Sequence, residues 1–206
     1  MAAILVVGAL VAVSQAGSPG GGTSRTPAAS GLRSVPEHGM TLGNPHAPFT
    51  MVEFADAQCP FCAQYDRETL PAVVKRYVRT GRLRIELRPL TFIGPDSARM
   101  ARVVEAAGRQ GRAWQLIDLI YHDQGQENSG YATDAYLRGL MARVPGLDAS
   151  RALAEAGSSA VSTRLAAAKT EARRAGVVAT PTFLVGRTGG RLAPVTGSLD
   201  QVLGPA

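Results

Sequence analysis

Apolar and charged residues alternate along Leu83 to Leu90 (Leu-Arg-Ile-Glu-Leu-Arg-Pro-Leu), and this period of two predicts a half-exposed β-strand. A second β-rich run, Thr50 to Phe54, follows the breakers Pro45 and Pro48 and predicts a shorter strand. Between them the chain reads as helix from the Cys59 region to about Arg79, with Pro71 set to kink or divide it and Gly81 to end it. Strand, helix and strand at this spacing make a βαβ unit, which implies parallel pairing and a right-handed crossover.

The period then changes. Met100, Val103, Val104 and Ala107 recur at helical spacing within Ser97 to Arg109, and Trp114, Ile117 and Tyr121 continue it until Gly125 and Gly130 intervene. Leu137, Leu140, Met141 and Val144 mark another helix, stopped by Pro145-Gly146. Ser158 to Arg174 is a long alanine-rich helix with Gly176 as its C-cap. Sheet returns with Thr182 to Val185, a turn through Arg187-Thr188-Gly189-Gly190, and Leu192 to Thr196, which together predict an antiparallel hairpin. A short helix from Leu199 to Leu203 closes the chain.

The first residues follow neither period. Ala2 to Val13 is an apolar run too short to cross a bilayer comfortably, since about 20 residues are needed. It reads as the core of a signal peptide, with Ser14 and Ala16 near a cleavage site, although no Lys or Arg precedes it. Residues 1–16 are therefore expected to be a signal peptide or membrane anchor, and 17–39 a flexible linker rich in Gly, Ser, Pro and Thr. A folded domain is expected to begin near Met40.

Composition suits one such domain: of 206 residues, 45% are hydrophobic and 18% charged, which supplies a core and excludes wholesale disorder. The formal charge of +6 comes from arginines scattered over helical stretches. Without a basic stripe interleaved with aromatic rings, nucleic-acid binding is not expected.

Two cysteines, Cys59 and Cys62, are the only ones, so no second structural disulfide can form within the chain. The pair Cys59-Pro60-Phe61-Cys62 sits where a strand passes into a helix, with Pro60 suited to the first helical turn. There the unpaired N–H groups and the positive end of the helix dipole favour a thiolate, the species that attacks a disulfide. Cys59 is expected to be the exposed attacker and Cys62 the buried resolving thiol. A zinc site would need four ligands. Only His38, His46 and His122 could add to the pair, and His122 is read as having no partner at i±4. No metal and no cofactor are expected.

Two further positions attract chemistry. Glu53 lies six residues before Cys59 between apolar Val52 and Phe54. Buried under a dithiol it could take and return protons; on an exposed strand face it would do nothing. Thr180-Pro181 runs straight into a strand, where a cis peptide would leave the Thr180 backbone free to pair with an extended substrate, and a trans turn would not.

Glu53, the Cys59–Cys62 pair, a helical insertion and Gly176-Val177-x-x-Thr180-Pro181-Thr182-Phe183 occur in an order that resembles DsbA-like thiol:disulfide oxidoreductases. The segment Thr41 to Pro48 is similar to the run into that family's first strand, and the likeness covers about residues 40–204. The resemblance implies an α/β, thioredoxin-like fold with a helical insertion domain: residues 40–95 and 176–206 as its halves and 96–175 as the insertion. It implies Cys59 as nucleophile, Glu53 as buried acid, and a cis Pro181 beside the dithiol. Thr180, Pro181, Phe61 and Pro60 are assigned to substrate binding.

One departure matters: strongly oxidising members carry histidine between the cysteines, and Phe61 supplies neither a cation nor a side-chain hydrogen bond. Oxidative disulfide formation in exported proteins is the first reading, with a membrane partner for recycling, an extracytoplasmic location and a monomeric state. A reductase or isomerase using the same dithiol is the alternative. A peptide-binding or chaperone module without turnover is another, as is a cytoplasmic glutathione-binding transferase.

Overall fold

The computed structural model describes residues 31–195 and 197–204. The leader assigned to 1–16, the tether over 17–30 and the end of the last strand at Thr196 lie outside the described residues.

The sheet is built around strand β3 (Phe49–Asp56), which pairs in parallel with β4 (Leu83–Leu90) and antiparallel with β5 (Thr182–Arg187). Two-residue strands extend it: β1 (Glu37–His38) and β2 (Thr41–Leu42) beyond β4, and β6 (Ala193–Pro194) beyond β5, in the order β1-β2-β4-β3-β5-β6. The βαβ unit is closed by α1 (Pro60–Glu68), α2 (Leu70–Val73) and a π-helical turn over Val74–Val78. Pro71 divides that helix as expected, since a proline one residue into a new helix costs no hydrogen bond.

Apolar patterning explains which faces are covered. On β4, Leu83, Ile85 and Leu87 are buried, while Arg84, Glu86 and Arg88 lie on the opposite face in ion pairs that also include Glu171. On β3 the alternation breaks because both faces are covered. Val52 and Phe54 pack with Leu90, Ala172 and Val177, and Met51 and Ala55 join the main core. Glu53 shares the parity of Met51 and Ala55, so the exposed placement weighed for it does not arise.

The helical insertion comprises α3 (Pro95–Gly108), α4 (Ala113–His122), α5 (Asp134–Met141), α6 (Ala149–Ala156) and α7 (Ser159–Arg174). Helix α6 was hidden in the sequence: it buries only Ala152 and Ala156, too few apolar positions to show a period. Its start is nevertheless written in Asp148, whose carboxylate accepts from the Arg151 N–H. Helix α8 (Leu199–Leu203) follows β6. Among the described residues no helix is long and apolar enough to cross a membrane.

The expected linker over 17–39 and the start near Met40 require correction. Residues 31–39 belong to the fold: Leu32 and Val35 enter the core, and Glu37 and His38 pair with Leu42 and Thr41. Glu37 also accepts from the Trp114 N–H at 3.0 Å. Gly, Ser and Pro near these residues masked two buried apolar side chains. The final strand is also shorter than expected, two residues in place of Leu192 to Thr196 as far as it is described.

Candidate active site

The dithiol sits where β3 hands the chain to α1. Cys59 is the N-cap residue of α1, with extended backbone (φ −69°, ψ 120°), and Pro60 takes the first helical position. Cys62 is one turn inside and fully buried. Cys59 is only 4% exposed, so the expected exposed attacker is in fact recessed. Its cover is the loop before β5, where Thr180–Pro181 is a cis peptide bond. The Cys59 thiol donates to the Thr180 carbonyl at 3.2 Å.

This setting pulls the Cys59 pKa down to about 6. A hydrogen bond from the Cys62 thiol is the largest cause; burial opposes it, and a Thr180 side-chain hydrogen bond and the N–H groups of Cys62 and Phe61 add to it. Cys62 is driven the opposite way, far above the ordinary thiol range, because its thiol donates a hydrogen bond to Cys59, is desolvated, and would meet the Cys59 and Glu53 charges if it ionised. One cysteine is poised as thiolate and the other as its proton-bearing partner.

Phe61 is 67% exposed, so its ring lies outside the thiolate's stabilisation and only its main-chain N–H takes part. Pro60 is exposed beside it, and Thr180 and Pro181 are half-buried across from it. Val178, two residues before Thr180, is 91% exposed, and Phe92 is a further exposed apolar side chain. Phe92 is held to the end of β3, ahead of the dithiol, since its N–H donates to Asp56 at 2.7 Å.

Glu53 is 2% exposed and its Oε2 has no hydrogen-bond partner among the described residues. Burial alone raises its pKa to about 8. Its strand neighbours are Leu87 and Phe183, and the Phe183 ring lies 4.4 Å from that of Tyr65 on α1. The structure thus gathers Cys59, Cys62, Thr180 and Pro181 at one point, with Glu53 buried close enough to Cys62 for the two groups to influence each other's ionisation.

Sequence reasoning passed over the residues that hold the loop between β3 and α1. Buried Asp56 accepts from the N–H of Gln58 (2.9 Å), Phe92 (2.7 Å) and Ile93 (3.1 Å) and from the Ser97 hydroxyl (2.5 Å). The Gln58 amide donates to Ser97 and Asn128 and accepts from the Asn128 N–H at 2.7 Å. Gln124 donates to the carbonyls of Ala57 and Cys59. Ser97 is on α3, while Gln124 and Asn128 lie in the segment between α4 and α5, so the insertion fastens the active-site loop. The signal available was the polar pair Asp56 and Gln58 in an otherwise apolar run, which a purely exposed loop would not need.

His122 also differs from expectation. Asp118, four residues earlier on α4, places its carboxylate 3.6 Å from His122 Nδ1, and Asp66 on α1 lies 4.0 Å away. The partner at i−4 is a carboxylate, which the histidine and cysteine positions alone do not disclose.

These features coincide with likeness to known proteins. A family model described as thioredoxin matches residues 36–191. The chain is 31% identical over 104 residues to the probable disulfide bond formation protein D of Bacillus cereus, across 50% of this chain and 48% of that protein. It spans about half the length of the curated relatives it matches first. Its fold superposes on the crystal structure of oxidised BdbD from Bacillus subtilis with a TM-score of 0.67, at 18% identity, covering 79% of this chain and 90% of that one. DsbA2 of Pseudomonas aeruginosa gives a TM-score of 0.61 at 29% identity, over 79% and 87% of the two chains. With its α/β sheet, helical insertion and paired cysteines at the head of α1, the chain belongs to the thioredoxin family, among its DsbA-like members.

Proposed function

We propose that the protein is an extracytoplasmic thiol:disulfide oxidoreductase that passes the Cys59–Cys62 disulfide to reduced, cysteine-containing exported proteins. The observation that carries this reading is the split between the two thiols: Cys59 pulled to about 6 and Cys62 pushed far above the ordinary range. Relatives named for disulfide bond formation support the same direction.

In the reaction a substrate thiolate attacks Cys59 Sγ of the disulfide, forming a mixed disulfide, and Cys62 leaves as thiolate. Cys62 then takes a proton, for which Glu53 is the buried donor, protonated up to about pH 8. A second substrate thiolate attacks the substrate sulfur of the mixed disulfide, and Cys59 departs as a thiolate stabilised by the helix start. Two electrons have moved from substrate to the Cys59–Cys62 pair, and the substrate holds a new disulfide. A membrane redox partner would restore the oxidised pair.

A good leaving thiolate at Cys59 stabilises the reduced form and so makes the disulfide oxidising. Here Cys62, Thr180 and two main-chain N–H groups do this without a histidine between the cysteines. Phe61, Phe92 and Val178 are exposed apolar side chains on three segments that meet the dithiol loop, which suits unfolded chains, and the half-buried Thr180 offers backbone for strand-like pairing.

The test is the reduction potential of the pair together with its redox state in the cell. An oxidised pair at steady state, with Cys59→Ser inactive, is expected. A pair found reduced in the cell would assign the reductase or isomerase direction, and full activity in Cys59→Ser would leave only the peptide-binding reading.

A further inference from the structure

We propose that Asp66, Asp118 and His122 form a binding site for a divalent metal ion, zinc by its donor set, at the joint between α1 and α4. The proposal is independent of the redox reading and departs from the expectation that the chain holds no metal.

Asp66 comes from α1, one helical turn beyond Cys62, while Asp118 and His122 are four residues apart on α4 and so share a face. One ligand atom from each of the three lies within 4.8 Å of the others. His122 Nδ1 is 3.6 Å from Asp118 Oδ1 and 4.0 Å from Asp66 Oδ2. A tetrahedral zinc ion with ligands at about 2.0–2.2 Å holds its donors roughly 3.3–3.6 Å apart. The two printed separations are thus close to that spacing, and seating an ion asks Nδ1 to give up its hydrogen bond to the Asp118 carbonyl.

A second observation concerns the buried carboxylate of Asp66. Asp66 is buried, its side chain 3% exposed; it hydrogen-bonds to Asp118, so the two carboxylates share a proton that a cation would displace, while its Oδ2 has no hydrogen-bond partner among the described residues. That orphaned oxygen is the atom facing His122. The adjoining cation, Arg67, donates to the Tyr121 carbonyl at 2.7 Å, so its guanidinium is engaged beside the pair. Buried carboxylates set against each other need a positive charge or a shared proton.

The donor set selects the ion. Calcium and magnesium take oxygen ligands, whereas an imidazole alongside carboxylates suits zinc and its neighbours. Three protein donors leave a fourth position for water. His122, at 23% side-chain exposure, is the member of the three that reaches solvent. Nδ1 also lies 2.9 Å from the Asp118 carbonyl, which turns the ring toward the carboxylates. Binding through Nδ1 would displace any proton there and loosen that contact. An ion so placed would bridge the helix that carries the dithiol to the inserted helical domain.

The test uses the full chain in its oxidised state, so that the cysteines are not available as ligands, stripped with a chelator and titrated with zinc by calorimetry. One equivalent is expected to bind and to raise the melting temperature. His122→Ala and Asp66→Asn, each checked for folding by circular dichroism, are each expected to weaken zinc binding about tenfold or more. A loss of that size in either folded variant supports the site. No binding to the parent protein, binding that neither variant alters, or a preference for calcium over zinc overturns it. None of these outcomes bears on disulfide exchange, which is measured without added metal.

Discussion

The Thr180 carbonyl oxygen lies 3.2 Å from Cys59 Sγ, although 121 residues separate them in the chain. The loop that leads into β5 therefore rests directly on the head of α1. Protonated Cys59 donates to this carbonyl; ionised Cys59 accepts instead from Cys62 and from the first N–H groups of the helix. The thiol thus has a different set of partners in each protonation state, and a substrate strand pairing with Thr180 would meet the same sulfur.

Cys59 should titrate near pH 6, seen as a half-maximal alkylation rate of the reduced protein at that pH. Because the Cys62 thiol is the largest cause, Cys62→Ala should move the midpoint upward, toward the ordinary cysteine range near 8.5. A midpoint unmoved in that variant would transfer the stabilisation to the main-chain N–H groups.

Glu53 gives a pH dependence of stability whose sign is fixed by its raised pKa. The folded protein holds this proton up to about pH 8, whereas an unfolded glutamic acid loses it near 4.5. Its contribution is complete below the unfolded value and is lost as pH rises through about 8. Cys59 acts oppositely, since its lowered pKa contributes above the unfolded thiol value and is lost as pH falls through about 6. Glu53→Gln should therefore flatten the fall in melting temperature of the reduced protein between pH 5 and pH 8. It should also slow formation of the mixed disulfide, the step in which Cys62 leaves and takes a proton. An unchanged slope would mean that Glu53 is not protonated when folded.

The fold was legible in the sequence because its signals are local: the alternation of Leu83 to Leu90, the divider Pro71 and the C-capping Gly176 each mark one element. The cysteines were legible for the same reason, four residues at a strand-to-helix boundary. What escaped was made by contacts distant in sequence. Leu32 and Val35 enter the core from a stretch whose composition reads as tether. Gln58 finds Asn128 and Asp66 finds His122 only after α3 and α4 fold back over α1. A polar side chain in a sequence does not disclose whether it will be buried with a partner, and Asp56, Gln58 and Asp66 look like ordinary loop or helix-surface residues.

Asp56 fixes the loop ahead of Cys59 by accepting from three N–H groups and one hydroxyl. Asp56→Asn keeps the shape but replaces an acceptor oxygen by an NH₂ group that faces donors. We expect a loss of about 3 kcal/mol in chemical denaturation, the size of a charged hydrogen bond plus unpaired buried donors. Reduced protein should also show a changed Cys59 alkylation rate. Gly94→Ala should have a milder effect of the same kind, because a Cβ there would run into the Asn128 side-chain oxygen that accepts from the Gln58 amide. Full stability in Asp56→Asn would show that the loop does not depend on this carboxylate.

Phe61 separates docking from thiolate chemistry. Its ring is 67% exposed while its N–H serves the Cys59 thiolate, so Phe61→Ser removes the ring and leaves the donor. Stability should stay within about 0.5 kcal/mol and the Cys59 midpoint should hold near 6. The KM for an unfolded protein substrate should rise several-fold, because one of the exposed apolar side chains is gone. Phe61→His should instead act on the sulfur. An imidazolium beside Cys59 would lower the midpoint below 6 and raise the reduction potential, and the effect should fade above about pH 6.5 as the ring loses its charge. A shifted midpoint in Phe61→Ser, with KM unchanged, would reverse these assignments and make the ring part of the thiolate's environment.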